Sequence, residues 1–189
     1  MEFKASRTGA CKLVDMVLVQ PCPIPDQTML GKYQREGAYV DCYFTEIGRS
    51  VSQREYVEAF YSGAAFRLER LLLAWFVSKP STDLQVRELA SGAAGTFAAW
   101  KVEDRSADQL LLRDYRGSTR SWLMVEPVDT GSALSTRLYF GSAVLPALDK
   151  STGQKRMGFL FKALLGFHKI YSRVLLHGAC GRLERRPLP

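Results

Sequence analysis

The chain has 189 residues, 47% of them hydrophobic, with 26 Lys plus Arg against 19 Asp plus Glu for a formal net charge of +7. That length suits one domain with a continuous core and leaves little room for a second. The basic excess is spread through Arg49, Arg67, Arg70, Arg87 and Arg113 before a final Arg182, Arg185, Arg186 cluster, so it biases the surface only weakly toward anionic neighbours.

In chain order, a basic start (Lys4, Arg7, Lys12) precedes Met16–Val19, an apolar run too short for a secretory core. Pro21, Pro23 and Pro25 disfavour a regular central element, and residues 1–37 read as an irregular lead-in packed along the body. Ala38 to Ile47 is β-branched and aromatic, a first strand ended by Gly48. Ser52 with Glu55 has the form of a capping box, which opens a helix to Tyr61 whose apolar side is Tyr56, Val57, Phe60 and Tyr61. After Ser62-Gly63 a second helix carries Phe66, Leu68, Leu71, Leu72, Trp75 and Phe76 as far as Pro80. A short helix over Thr82 to Leu89 and a flexible Ser91–Gly95 connector follow.

Four strands then come within a short span: Thr96 to Glu103, Gln109 to Tyr115, Arg120 to Pro127 and Leu134 to Leu145, joined by turn-forming residues in a meander. Pro146 to Gln154 is a polar crossing to a long helix, Met157 to Ala179. That helix lays Met157, Leu160, Phe161, Leu164, His168, Tyr171 and Leu175 on one face, opposite Lys162, Lys169 and Arg173. The same charges interrupt Phe159 to Leu176, so no membrane span is expected. Residues 181–189 read as a basic tail beyond a single domain over 38–180.

Alternation puts Ala98, Trp100 and Val102, then Leu110, Leu112 and Asp114, then Ser121, Leu123 and Val125, then Leu138, Phe140, Ser142 and Val144 on the inward face. Trp122 and Tyr139 fall on the other parity, and a bulge would reverse the assignment. Helices and strands are segregated, which excludes an alternating βαβ protein.

This order of strand, helix pair, meander and long helix resembles the helix-grip fold of the START-like superfamily, which includes pollen-allergen proteins, lipid-transfer domains and polyketide cyclases. The likeness covers roughly residues 38 to 180. Phe97–Glu103, Leu110–Arg113 and Arg116–Glu126 are similar to a subfamily whose strands read W-x-V-E, an alternating Leu strand and G-x-A-W-L-E. Here Met124 stands in place of Glu and Ser-Trp-Leu in place of Ala-Trp-Leu. The resemblance implies an α+β helix-grip fold, a curved antiparallel sheet wrapped around the C-terminal helix with a helix pair after the first strand, and it carries over no catalytic motif.

Cys11, Cys22, Cys42 and Cys180 form no C-x-x-C pair, and the only histidines are His168 and His177, so zinc-ligand spacing is missing and neither metal nor cofactor is expected. The cysteines read as reduced, inert apolar residues of a cytoplasmic protein. His168 lies on the apolar stripe, where an imidazole near its ordinary value of about 6.5 would hold a ligand carbonyl or shuttle a proton; a satisfied interior histidine is the plainer account. Asp114 points inward if its strand is regular, although a hairpin-end carboxylate paired with Arg113 or Arg116 is simpler. Trp75, Trp100, Phe140 and Tyr171 would line a pocket or fill a core. The Arg113–Trp122 stretch interleaves arginines with aromatics but is an ordinary hairpin tip, which disfavours nucleic acid.

The expectation is a binder of a small apolar or aromatic molecule in an internal cavity walled by Trp100, Asp114, Phe140, His168 and Tyr171. A cyclase, dehydratase or isomerase acting on a carbonyl compound is the alternative, and a nucleic-acid or protein-interaction module the third. Nothing in the sequence excludes a homodimer.

Overall fold

The computed structural model describes residues 18–63, 82–129, 131, 134–148, 155–156 and 159–185, and for 147–148, 155–156 and 159–168 the backbone alone. The expected second helix over Phe66 to Phe76, with Trp75, lies outside the described residues, as does Cys11.

The fold is α+β: a curved, unclosed, antiparallel sheet of seven strands with the C-terminal helix packed against it. Its strands are β1 (Gln20–Pro21), β2 (Tyr39–Ile47), β3 (Thr96–Phe97), β4 (Trp100–Arg105), β5 (Gln109–Asp114), β6 (Thr119–Asp129) and β7 (Leu134–Val144), in the spatial order β1-β2-β7-β6-β5-β4-β3. A separate two-stranded ladder pairs β8 (Ala147–Leu148), inside the Pro146 to Gln154 stretch expected to be a plain crossing, with β9 (Lys155–Arg156) just beyond it. The described helices are α1 (Gly31–Arg35), α2 (Gln53–Tyr61), α3 (Asp83–Ser91) and α4 (Phe159–Arg185).

Local chemistry sets these boundaries. Ser52 and Glu55 form the expected capping box at the start of α2, and Thr82 with Gln85 forms a second one at α3. Gly92 takes φ +84 as the left-handed stop of α3 and donates its N–H to the Leu89 carbonyl at 3.2 Å, which also accepts from Arg105 at 2.7 Å. The expected strand from Thr96 is split by a tight turn at Ala98 and Ala99, with Ala98 at φ 51, so Phe97 and Trp100 face each other across a two-residue hairpin. A bulge between Val102 and Asp104 then inserts Glu103 into β4, which reverses the parity of the strand's end and lets Arg105 reach α3. Helix α4 runs past Ala179 to Arg185, so the first part of the presumed basic tail is helical. Gly178 and Gly181 weaken helix propensity there, but Leu176, Ala179, Cys180 and Leu183 are all buried and continue the apolar stripe.

Two cores flank the sheet. On the helix face, Tyr43, Leu110, Leu112, Leu123, Val125, Leu138 and Phe140 pack under α2, α3 and α4, with Trp100, Val102 and Tyr171 at the margin. The inward assignment from alternation therefore holds on β5, β6 and β7. The opposite face buries Cys42, Leu111, Trp122, Met124, Tyr139 and Ala143 beneath the segment that includes Ile24, Met29, Leu30 and Tyr33. Trp122 and Tyr139 are thus core residues of a second layer, roofed by the described part of the lead-in.

The roof is pinned at named points. Gln109 Oε1 accepts from both the Met29 backbone N–H at 3.0 Å and the Trp122 indole N–H at 2.9 Å. Glu103, which alternation places on the face opposite Trp100 and Val102, pairs with Lys32 at 2.9 Å and Arg120 at 2.6 Å and accepts from the Tyr33 hydroxyl. Arg120 also donates to Tyr33 Oη at 2.8 Å and lies over its ring. Burial pushes the Glu103 carboxyl up, but the hydrogen bonds from Tyr33 and Lys32 and the Arg120 charge outweigh it and hold it below the ordinary 4.5.

Closest of all is Gly141 of β7: a Cβ there would stand 2.6 Å from Leu30 Cδ2, 2.9 Å from Trp122 Cε3 and 3.1 Å from the Asp41 carbonyl. Gly141→Ala should overpack this contact and cost about 1–3 kcal/mol in urea unfolding, with partial rescue by Leu30→Ala. Glu103→Gln should cost about 1.5–3 kcal/mol at neutral pH, the scale of hydrogen bonds to a charged group. Because the folded carboxyl titrates below the unfolded one, its stabilisation is present above the unfolded value and vanishes as pH falls through the folded value. Urea midpoints followed from pH 7 into acid should therefore converge for Glu103→Gln and wild type at the lowest pH.

Candidate functional site

Cross-strand register divides the helix face into rows. Tyr43, Phe140, Leu123 and Leu110 lie side by side as an apolar row through β2, β7, β6 and β5. One row further along, Asp41, Ser142 and Ser121 are direct neighbours, followed by Leu112 and Val102. Next come Tyr39, Val144 and Thr119, with Asp114 and Trp100 as a facing pair on β5 and β4. A polar strip thus crosses an otherwise apolar surface.

The two serines of the strip are buried, and Asp41 beside them is half-buried. Ser142 is 5% and Ser121 7% exposed. Ser142 Oγ donates to Asp41 Oδ1 at 2.6 Å, and the fully buried Tyr61 of α2 shares a hydrogen bond of 3.0 Å between its hydroxyl and Ser121 Oγ. Burial, with the Asp41 charge behind it, pushes the Tyr43 phenol up to about 12 and raises that of Tyr39, so both remain protonated donors at neutral pH. From α4, Ser172 is buried and the Arg173 guanidinium stands 5.5 Å from the Tyr43 ring centre. Chemically, the face offers hydroxyl donors and acceptors beside aromatic walls; among the described residues no group of three His, Cys, Asp or Glu is placed to hold a metal ion.

Of the residues singled out in the sequence, Phe140 is buried with its ring centre 4.9 Å from that of Phe60, and Tyr171 is half-buried against the same core. Trp100 is half-buried at the margin of that core. Its indole Nε1 is shielded from solvent and has no hydrogen-bond partner among the described residues, a costly state for a donor. Ala98, in a left-handed conformation that L residues adopt at a cost, forms the turn between Phe97 and Trp100. Asp114 shares inward parity, but both carboxylate oxygens are engaged in the β5–β6 turn, accepting from Ser118 Oγ and from the Thr119 N–H at 3.0 Å each. His168 falls within the span of α4, and its side chain lies outside the described residues.

Asp41, Tyr61, Ser121 and Ser142 are additions from the structure. Their signal in the sequence is a pair of serines at inward positions of strands otherwise filled by Leu, Phe and Val, and Asp41 within an aromatic strand. The chain matches no protein-family model, no curated protein and no solved structure. The sheet and C-terminal helix are compatible with a helix-grip architecture on their own geometry.

If Tyr61 and Ser121 form a working pair, Tyr61→Phe and Ser121→Ala should each lower stability by about 0.5–1.5 kcal/mol. The double variant should lose less than the sum, a coupling that a double-mutant cycle by urea denaturation measures directly.

Proposed function

We propose that the chain is a START-like helix-grip protein that binds a small apolar or aromatic molecule on the helix face of its sheet, with a hydroxyl or carbonyl of the ligand taken up by the polar strip and by the Trp100 indole. The observation that carries this reading is the Asp41–Ser142–Ser121 row, with both serines buried, set between aromatic side chains and an indole N–H without a partner among the described residues. Sites for small molecules combine such apolar walls with a few placed polar groups. Turn engagement of Asp114 favours binding over the enzymatic alternative, since an acid–imidazole pair with His168 would need that carboxylate free. A cytoplasmic setting belongs to the same proposal.

Native mass spectrometry of the purified full chain tests it. A co-purifying apolar compound should be retained by wild type and by the exposed-site control Lys101→Ser, and lost from folded Trp100→Ala and Ser142→Val. Added apolar or aromatic compounds should raise the unfolding temperature independently of salt, by an amount that follows ligand concentration over Kd. Retention of the compound by both variants removes the strip from the binding site. Binding of DNA or RNA that collapses with rising salt would instead favour an electrostatic interaction module, and release of a chemically altered compound by wild type alone would favour an enzyme.

A further inference from the structure

On the face away from α4, two cysteines that lie far apart in sequence meet. Strand β1 is held in antiparallel register with β2 by Gln20 opposite Phe44 and Pro21 opposite Tyr43. One residue further, Cys22 donates its backbone N–H to the Cys42 carbonyl at 3.0 Å, and their Sγ atoms stand 3.1 Å apart. Directly opposite residues joined by backbone hydrogen bonds have Cα atoms about 5.5 Å apart, within the window a disulfide accepts. Cys22 is half-buried and reachable from solvent, whereas Cys42 is 3% exposed.

We propose that Cys22 and Cys42 form an oxidisable dithiol that reacts with low-molecular-weight disulfides and, once closed, staples the lead-in to β2 over the second core. Cys22 is the entry point. Its thiolate attacks one sulfur of the small disulfide, the S–S bond breaks, and one small thiolate leaves. Cys42 then attacks Cys22 Sγ in the mixed disulfide, expels the second small thiolate and gives up its proton to it. Two protein thiols are oxidised to one disulfide, and the small disulfide is reduced to two thiols, so atoms and electrons balance.

The order of attack follows from position and charge. A proton kept on Cys42 stabilises a thiolate on Cys22, and the nearby Arg137 adds to this, so the Cys22 thiol is held below its ordinary value. The shared hydrogen bond and burial push Cys42 the other way, which makes it the resolving partner. Cys180 provides an internal contrast: burial first, and then the charge of Glu184, pushes its thiol up to about 12, and it has no sulfur neighbour among the described residues.

The test uses the full chain incubated with oxidised glutathione, followed by intact-mass measurement and peptide mapping. Wild type should lose two hydrogens, carry no glutathione between Cys22 and Cys42, and yield a Cys22–Cys42 linked peptide that dithiothreitol opens. Cys42→Ser and the packing-conservative Cys42→Ala should both arrest at the intermediate, with glutathione retained on Cys22. Cys22→Ser should leave Cys42 unmodified. Closure should raise the urea midpoint of wild type and slow proteolysis within residues 18–37, both reversed by reductant. Free thiols at both positions in treated wild type, absence of a glutathione adduct on Cys22 in the folded Cys42 variants, or a link made instead through Cys11 or Cys180 would each overturn the proposal.

Discussion

The central strands of this sheet are apolar on both faces, and the rest of the structure answers that constraint. Leu110, Leu111 and Leu112 are consecutive and buried, as are Trp122, Leu123 and Met124 on the neighbouring strand. Because successive side chains point to opposite faces, neither face of β5 or β6 can be left to solvent. A helix layer of α2, α3 and α4 covers one face. The chain before β2 covers the other with α1 and the segment that leads into it. The sheet remains unclosed, so these two covers, rather than barrel closure, protect its interior.

The covers are attached in different ways, and polar chemistry follows the difference. On the helix side the attachment is mainly apolar, with Phe60 against Phe140 and the α4 stripe of Leu175, Leu176, Ala179 and Leu183 against the core. Its polar groups include the Asp41–Ser142–Ser121 row with Tyr61, together with the buried Thr45, Thr136 and Ser172. On the roof side a short segment with little helix has less apolar area to offer, and it is fixed by directional contacts. These are Gln109 to Met29, Glu103 to Lys32 and Tyr33, and the backbone bond of Cys22 to Cys42. Directional contacts involving charges respond to pH, whereas apolar packing does not, so the Glu103 cluster makes the roof sensitive to acid.

The sequence made the helix side legible because periodicity encodes it directly. The Ser52–Glu55 cap, the inward parity of Leu123, Leu138 and Phe140, and the α4 stripe through Tyr171 and Leu175 all follow from spacing alone. The roof was obscured by what spacing cannot express. Trp122 and Tyr139 look like exceptions to alternation until a second core is found to need them. Glu103 is on that side by plain alternation from Trp100 and Val102, but the bulge that follows turns Asp104 and Arg105 the other way and has no signature in Trp100–Arg105. Pro21 argues against a regular strand, yet β1 is a two-residue edge pairing, where the absent N–H is tolerated. Since the Cys22–Cys42 contact depends on the register of that pairing, no count of cysteine spacings could reveal it.

The β5–β6 turn shows how the two sides are kept in register. Asp114, of helix-face parity, ties the turn together through Ser118 and Thr119, while Arg120, of the opposite parity, donates to the Gly117 and Thr119 carbonyls of the same turn and to Tyr33 in the roof. Trp100 is the cross-strand partner of Asp114, and Glu103, three residues further along β4, is the ionic partner of Arg120. One short hairpin thus touches the proposed ligand edge on one face and the ionic cluster of the roof on the other. Asp114 is better understood as the group that holds this hairpin in shape than as a ligand anchor, since any rotation toward the helix face would release the turn that positions Arg120.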